Sequence, residues 1–213
     1  MNKNLYKARN KKDDEFYTQI EDIENEMSYY KEHFANKIVY CNCDDPSASM
    51  FTRFFMDKFD ELCIDKLVST YIDNNCRPHK TTYKNSLLSK STLAFNGDFR
   101  SPECIEILKE CDLVVTNPPF SLFREYIGCL IKHNKKFIIM GNQNAITYKE
   151  IFPLLQSGEL WLGANYGTMK FEVKSNKDNK SNVYFDKCKK KYFAKFGNIV
   201  WFTNLKHTKR HKN

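Results

Sequence analysis

Apolar positions recur along this chain with two alternating periods. Ile20, Ile23, Met27, Tyr30 and Phe34 fall three or four residues apart, one face of a helix over residues 19–34. The compact run KIVYCNC (37–43) reads as a strand. Asp44-Asp45-Pro46 then breaks the run. Asp45 suits the cap and Pro46 the first turn of a helix whose inner face is Met50, Phe51, Phe54, Phe55 and Phe59. Residues 66–72 predict a strand closed by Asp73, residues 74–90 a long polar loop, and residues 91–95 a short strand before Gly97-Asp98. Ser101-Pro102 opens a helix that runs to Cys111. DLVVT (112–116) reads as a buried strand. A helix over 121–132 turns Leu122, Phe123, Tyr126, Ile127 and Leu130 inward, and a strand over 136–140 ends at Gly141. Thr147-Tyr148-Lys149-Glu150 has the spacing of a capping box and predicts a helix that stops near Gly158. Short strands over 160–162 and 170–173 precede a Lys-rich stretch, 174–191, that reads as a mobile loop; a last strand covers 198–205.

Strands alternating with helices define the α/β class, with a mostly parallel sheet flanked by helices. Ligands of such sheets bind beyond the carboxyl ends of the strands. Asp44, Asp45, Asp73, Asp98 and Asn117 all fall at predicted strand ends. At 213 residues the chain suits one domain, with a flexible basic arm at 1–14 and a basic tail at 206–213. It holds no apolar run of membrane-spanning length, and its start lacks the apolar segment of a signal peptide, so a soluble, cytoplasmic protein is expected. The eight cysteines include no C-x-x-C pair and several sit inside apolar patterns, so reduced core thiols are expected and no metal site. A net charge of +8 favours an anionic partner, nucleic acid first, although an AT-rich genome would also enrich Lys, Asn, Ile, Phe and Tyr together.

The DLVVT strand runs into Asn117-Pro118-Pro119-Phe120. An amine conjugated to an aromatic base has a delocalised lone pair and must move toward tetrahedral geometry before it attacks a methyl group. Two acceptors near its N–H bonds favour that change. An Asn oxygen and an adjacent carbonyl held by prolines supply them, and an aromatic ring can stack on the base. A strand-to-helix turn is the plainer use of the same residues.

NPPF resembles the catalytic motif of S-adenosylmethionine-dependent amino-methyltransferases. DEFYTQ (14–19), VYCNCDDP (39–46), GDFRSPEC (97–104), TNPPFSLFREYI (116–127), GNQNAITYKEIFPL (141–154), LWLG (160–163) and WFTNL (201–205) resemble, in order, the EcoRI-type adenine-specific DNA methyltransferases. The resemblance implies a Rossmann-like fold with S-adenosylmethionine over the strand ends and methyl transfer to N6 of an adenine flipped from duplex DNA. It gives the catalytic roles to Asn117, Pro118, Pro119 and Phe120. Phe16, Tyr17 and Thr18 match the N-terminal cofactor motif, with an aromatic staple as their other reading. Cys43, Asp44, Asp45 and Pro46 match the first cofactor loop, here without its usual glycines. Asp73 is placed for the ribose hydroxyls, with Asp65 or Asn74 as other candidates, and Asp98 with Phe99 for the cofactor's adenine.

Trp201 and Phe202 match a region near the flipped base, unless they belong to a buried strand. Asn142 and Asn144 fall in the GNQNAITYKEIFPL stretch and join the DNA candidates. Phosphate contacts are expected from Lys7, Arg9, Lys11 and Lys12, from the 187–191 run with Lys189 and Lys190, and from the tail beginning at Lys206. Members of the family continue past WFTNL, so the resemblance implies a C-terminally shortened chain with its specificity region absent or truncated. A cognate restriction endonuclease, or a second chain supplying the missing part, would be its protein partner. Action on RNA or a protein amide, or an inactive remnant that binds cofactor or DNA, are the alternatives.

Overall fold

The computed structural model describes residues 17–47, 49–73, 75–173 and 181–210. The basic arm expected over 1–14, and Phe16, lie outside them. Strands β2 (Ile38–Asn42), β3 (Lys66–Ile72), β6 (Leu113–Thr116) and β7 (Lys136–Asn142) are parallel neighbours. They form the middle of an eight-stranded sheet. One edge is the antiparallel hairpin β4 (Pro78–Lys84) and β5 (Leu87–Thr92). The other edge is β12 (Ile199–Thr203), antiparallel to β7, and then β8 (Trp161–Leu162). Only β4 and β12 run against the rest, so the sheet is mostly parallel.

Period-two alternation in the strands feeds two cores. One face carries Ile138, Met140 and Trp201 against helices α1 (Ile20–Met27) and α2 (Met50–Asp57). The other carries Phe137, Ile139 and Phe202 against α3 (Pro102–Glu110) and α4 (Phe123–Lys132). A second, antiparallel sheet joins β1 (Tyr17–Thr18), β9 (Met169–Val173), β11 (Lys191–Phe196) and β10 (Val183–Asp186) in that order. Its Met169 and Phe171 enter the α1–α2 core. No helix among the described residues is long and apolar enough to cross a membrane.

Several expected boundaries move, each for a local reason. The helix expected over 19–34 ends at Met27 and resumes as a 3-10 turn at Lys31–His33. The Ser28 hydroxyl bonds the Asn25 carbonyl there, and the expected apolar positions still reach the core. Asp45-Pro46 does not start α2. The Asp45 side chain accepts from the Ser47 amide at 2.9 Å, forming a turn, and Ser49 caps the helix instead. The expected loop 74–90 contains most of the β4–β5 hairpin. Asn85 and Ser86 form its two-residue turn at φ 51° and 60°, the left-handed values that match strand twist.

The helix expected after the Thr147 box is replaced by a 3-10 turn, Gln143–Thr147, capped by Asn142, and a short helix α5, Phe152–Gln156. Pro153 decides this: inside a helix begun at 148 it would lack an N–H and clash with the preceding turn, whereas it fits the first turn of α5. Gly141 does not end β7 but lies within it, paired with Val200 of β12, and glycine is required there because a Cβ would run into the Phe123 and Phe202 rings. Of the stretch expected to be mobile, residues 174–180 lie outside the described residues and the rest holds β10 and the start of β11.

Candidate active site

The carboxyl edge of the parallel strands gathers the expected residues. Thr116, the last residue of β6, donates its hydroxyl to the Asn42 carbonyl at the end of β2. That bond ties the start of NPPF to the first loop. The Asn117 side-chain oxygen is buried. Pro118 is buried, and Pro119 leads into a 3-10 turn, Phe120–Leu122, whose Leu122 amide donates back to the Pro119 carbonyl at 2.9 Å. The half-buried Phe120 ring packs against the α1–α2 core.

The first loop turns on Cys43, at φ 59°. Few side chains adopt that left-handed conformation, which explains how a loop without glycine reverses here. Its thiol is pushed up in pKa by burial and bonds Asn42 Oδ1 at 3.2 Å. Asp44 is 2% exposed. It accepts from the Thr52 amide at 2.8 Å and from the hydroxyls of Ser49 and Thr52. It therefore caps α2 from outside the helix.

Burial raises the Asp44 carboxyl to about 6 against those hydrogen bonds. The folded chain then holds this proton more tightly than the unfolded chain does, so stability falls as pH rises from about 4 to about 6, by up to about 3 kcal/mol. Urea unfolding of wild type and Asp44→Asn at several pH values is expected to show the wild type losing stability relative to the variant across that window. The difference should be flat above it. A difference that stays flat throughout would refute the assignment.

Asp98 is 2% exposed and is gripped by Arg100, whose Nε and Nη2 lie 2.9 and 2.7 Å from its two oxygens. Arg100 also reaches Glu125 and lies over the Phe99 ring, 5.0 Å from its centre. Phe99 meets Tyr126 edge-on at 5.0 Å. The buried Tyr126 hydroxyl has no hydrogen-bond partner among the described residues and lies within electrostatic range of Cys43. Asp73 holds the β3–β4 turn: one oxygen accepts from the Asn75 and Arg77 amides, and the other lies 3.0 Å from His79 Nε2. The Arg77 amide, followed by His79, holds its carboxyl below the usual range. Asp65 instead pairs with Lys84 at 2.9 Å, and Asn74 lies outside the described residues. Thr18, in β1, donates to Met140 Sδ at 3.3 Å, which brings the N-terminal motif over β7. Tyr17 occupies the same short strand.

Some expected DNA residues take other roles. Trp201 and Phe202 are 1% and 0% exposed and fill the two cores, so neither ring is open to a base. Asn142 accepts from the Asn144 amide at 2.9 Å and caps the turn after β7; Asn144 is exposed there. Lys189 pairs with Glu21 at 3.8 Å, whereas Lys190, in the β10–β11 turn at φ 52°, keeps its side chain exposed and open to a phosphate. The described part of the tail folds back on the protein. Lys209 lies 4.4 Å from the centre of the Tyr29 ring, and Arg210 lies 3.4 Å from that of Trp161.

Sequence reasoning passed over Arg100 and Glu26 and gave Tyr126 only a place in the core. Arg100 stands two residues after Asp98, a spacing at which the two can pair directly. Glu26 sits on the apolar face of α1 beside Ile23, Met27 and Tyr30, where an acid must find partners.

A strand ending in a part-buried Asn-Pro-Pro-aromatic turn, bound to a loop of acids, is the arrangement expected of the amino-methyltransferase class. Comparison with known proteins agrees. The family described as adenine-specific methyltransferase EcoRI matches over residues 4–91 and 80–213. The type II methyltransferase M.EcoRI of Escherichia coli is 43% identical, over 100% of this chain and 71% of its own length. M.MgeORF184P of Mycoplasma genitalium is 42% identical over 93% of this chain, and M.MpnI of Mycoplasma pneumoniae 40% over 94%. Each of these two is covered over 64% of its length, so this chain spans less than two thirds of either. Among solved structures, YeaZ from Pseudomonas aeruginosa matches with a TM-score of 0.25 at 6% identity over 70% of each chain, too weak a likeness to bear on the fold. The chain belongs to the EcoRI family of adenine-specific methyltransferases.

Proposed function

We propose that this chain methylates N6 of adenine in duplex DNA, as the modification partner in a restriction–modification pair, on a Rossmann-like fold acting in the cytoplasm. One observation carries the reading: NPPF leaves a parallel strand at the carboxyl edge and is tied through Thr116 to the first loop. The acceptor set there suits S-adenosylmethionine. Asp44, Asp73 and Asp98 are acids that could take an ammonium group, ribose hydroxyls and an amino-purine. The orphaned Tyr126 hydroxyl beside Phe99 is a further buried polar atom in want of a partner. Cys43, Asp44, Asp45 and Pro46 would hold the amino-acid end together with Tyr17 and Thr18, Asp73 the ribose, and Asp98 with Phe99 the base. Asp44 and Asp98 are committed to α2 and to Arg100, so any contact they make is with a carboxylate already fixed in place.

When bound, S-adenosylmethionine supplies an electrophilic methyl group on a sulfonium. The chain's task is the amine. Asn117 Oδ1 and the Pro118 carbonyl accept from the two N–H bonds of adenine N6 and draw the nitrogen toward tetrahedral geometry, which localises its lone pair. Pro119 brings no N–H to compete, and Phe120 stacks on the flipped base. The electron pair of the broken S–C bond stays with sulfur and the surplus N6 proton leaves to solvent after attack, so positioning and electrostatics suffice and no strong base is required.

The test is transfer of labelled methyl from S-adenosylmethionine to unmethylated duplex DNA, with the product identified as N6-methyladenine. Asp98→Ala is expected to abolish transfer by weakening cofactor binding, measured by calorimetry, without unfolding the chain. Label that appears in RNA or protein but not in DNA would overturn the reading.

A further inference from the structure

The outer end of the β10–β11 hairpin has a composition that neither the cores nor the active site uses. Phe185 and Tyr192 are direct cross-strand partners with ring centres 5.0 Å apart. They stay 49% and 36% exposed. Alternation puts them on the same face as Ala194 and Phe196, which are drawn into the protein; Phe196 meets Phe171 at 5.8 Å. The ring pair therefore continues an apolar face beyond the point where the core ends.

Lysines surround it. Lys189 and Lys191 pair with Glu21 and Glu172, at 3.8 and 2.8 Å. Among the described residues, Lys187 and Lys190 have no carboxylate partner. Asp186 is occupied by the turn itself, accepting from the Cys188 and Lys189 amides at 2.9 Å. The hairpin is rooted at the edge where the candidate site lies. Only Gly197-Asn198 separates β11 from β12, Ile199 pairs with Asn142, and the Gln143 amide donates to the Asn198 carbonyl at 2.7 Å.

We infer that this hairpin is an arm that grips duplex DNA, with Phe185 and Tyr192 against the bases and Lys187 and Lys190 against phosphates. Unpaired lysines beside exposed rings match a polyanion whose base faces open to stacking where the duplex is unstacked, as flipping of the target adenine requires. They do not match a second copy of this chain, since a two-fold interface would set like charges against each other. The inference rests on the proposed DNA substrate.

The experiment measures binding of a fluorescein-labelled duplex of mixed sequence by anisotropy at several salt concentrations, with methyl transfer measured in parallel. Phe185→Ala/Tyr192→Ala is expected to weaken binding about tenfold or more at fixed salt, with the salt dependence kept. Lys187→Ala/Lys190→Ala is expected to flatten the slope of log affinity against log salt by about 1.8. Phe185→Leu/Tyr192→Leu keeps apolar bulk without a flat ring and should weaken binding as the alanine pair does, even if the alanine pair proves unstable. S-adenosylmethionine binding and thermal midpoint should match wild type.

Duplex affinity unchanged in the ring variants would overturn the arm, as would loss of a dimer by light scattering, or a wild type that binds no DNA. Wild-type binding without methyl transfer would count against the proposed reaction and leave the arm standing. Wild-type transfer with unaffected ring variants would do the reverse.

Discussion

Asn117→Ala is expected to reduce methyl transfer at least about a hundredfold, and by up to about a thousandfold, with little change in thermal midpoint. Two acceptors are proposed to meet the adenine amine, and only one is a side chain. The alanine variant keeps the Pro118 carbonyl and the proline-fixed backbone but loses the acceptor whose oxygen is buried at the end of β6. Binding of S-adenosylmethionine and of DNA should persist, so the loss should appear in kcat in single-turnover assays rather than in KM. Asn117→Asp is the informative companion. It keeps the shape and an acceptor while adding a charge to a buried position, and is expected to retain more activity than alanine. A folded Asn117→Ala chain with full activity would remove the proposed mechanism.

The second large effect concerns stability. Glu26 is 0% exposed on α1. Its carboxylate accepts from the Ala164 amide at 2.7 Å and, at 2.9 Å each, from the Asn165 amide, the Asn165 side-chain Nδ2 and the Tyr30 hydroxyl. Burial raises its pKa and the four donors oppose that rise. The carboxylate clamps the chain between β8 and β9, and so joins the two sheets. Glu26→Ala would leave four donors without their acceptor, two of them on the part-buried Asn165, and open a void. A loss of about 3 to 5 kcal/mol in urea unfolding is expected.

Gly163→Ala attacks the same clamp from the other side. Its Cβ would meet Glu26 Oε1 at 2.2 Å and Trp201 Cβ at 2.5 Å. The cost expected there is about 1 to 3 kcal/mol. Glu26→Gln keeps the volume but turns an amide donor toward donors, so it should fall between wild type and Glu26→Ala. A Glu26→Ala chain as stable as wild type would show that the clamp contributes nothing.

Local chemistry explains why so much was legible before the fold was known. The apolar periods of α1, α2 and α4 and the uninterrupted run of β6 each follow from side chains a few residues apart, and so does the Ser101 cap before Pro102. The NPPF turn is likewise complete within four residues. What failed depended on competition between neighbours or on distant partners. Asp45 lost the α2 cap because Ser47 takes its side chain, and the Thr147 box lost to Pro153. The β4–β5 hairpin escaped notice because its strands lie at a sheet edge and are mostly polar, so their alternation carries little hydrophobic signal.

By itself, then, the sequence determined the α/β class, the strand that bears Asn117 and the family to which the chain belongs. All three rest on periodicity or on short contiguous motifs. The tertiary structure alone decided that Arg100 grips Asp98 and that Asp44 caps α2 at Thr52. It alone buried Trp201 and Phe202, and it alone joined Glu26 to residues 164 and 165, far along the chain. The physical reason is range. Helix and strand periods and turn chemistry act between near neighbours. The partner of a buried acid, or the burial of a ring, is set by whichever distant segment folding brings against it.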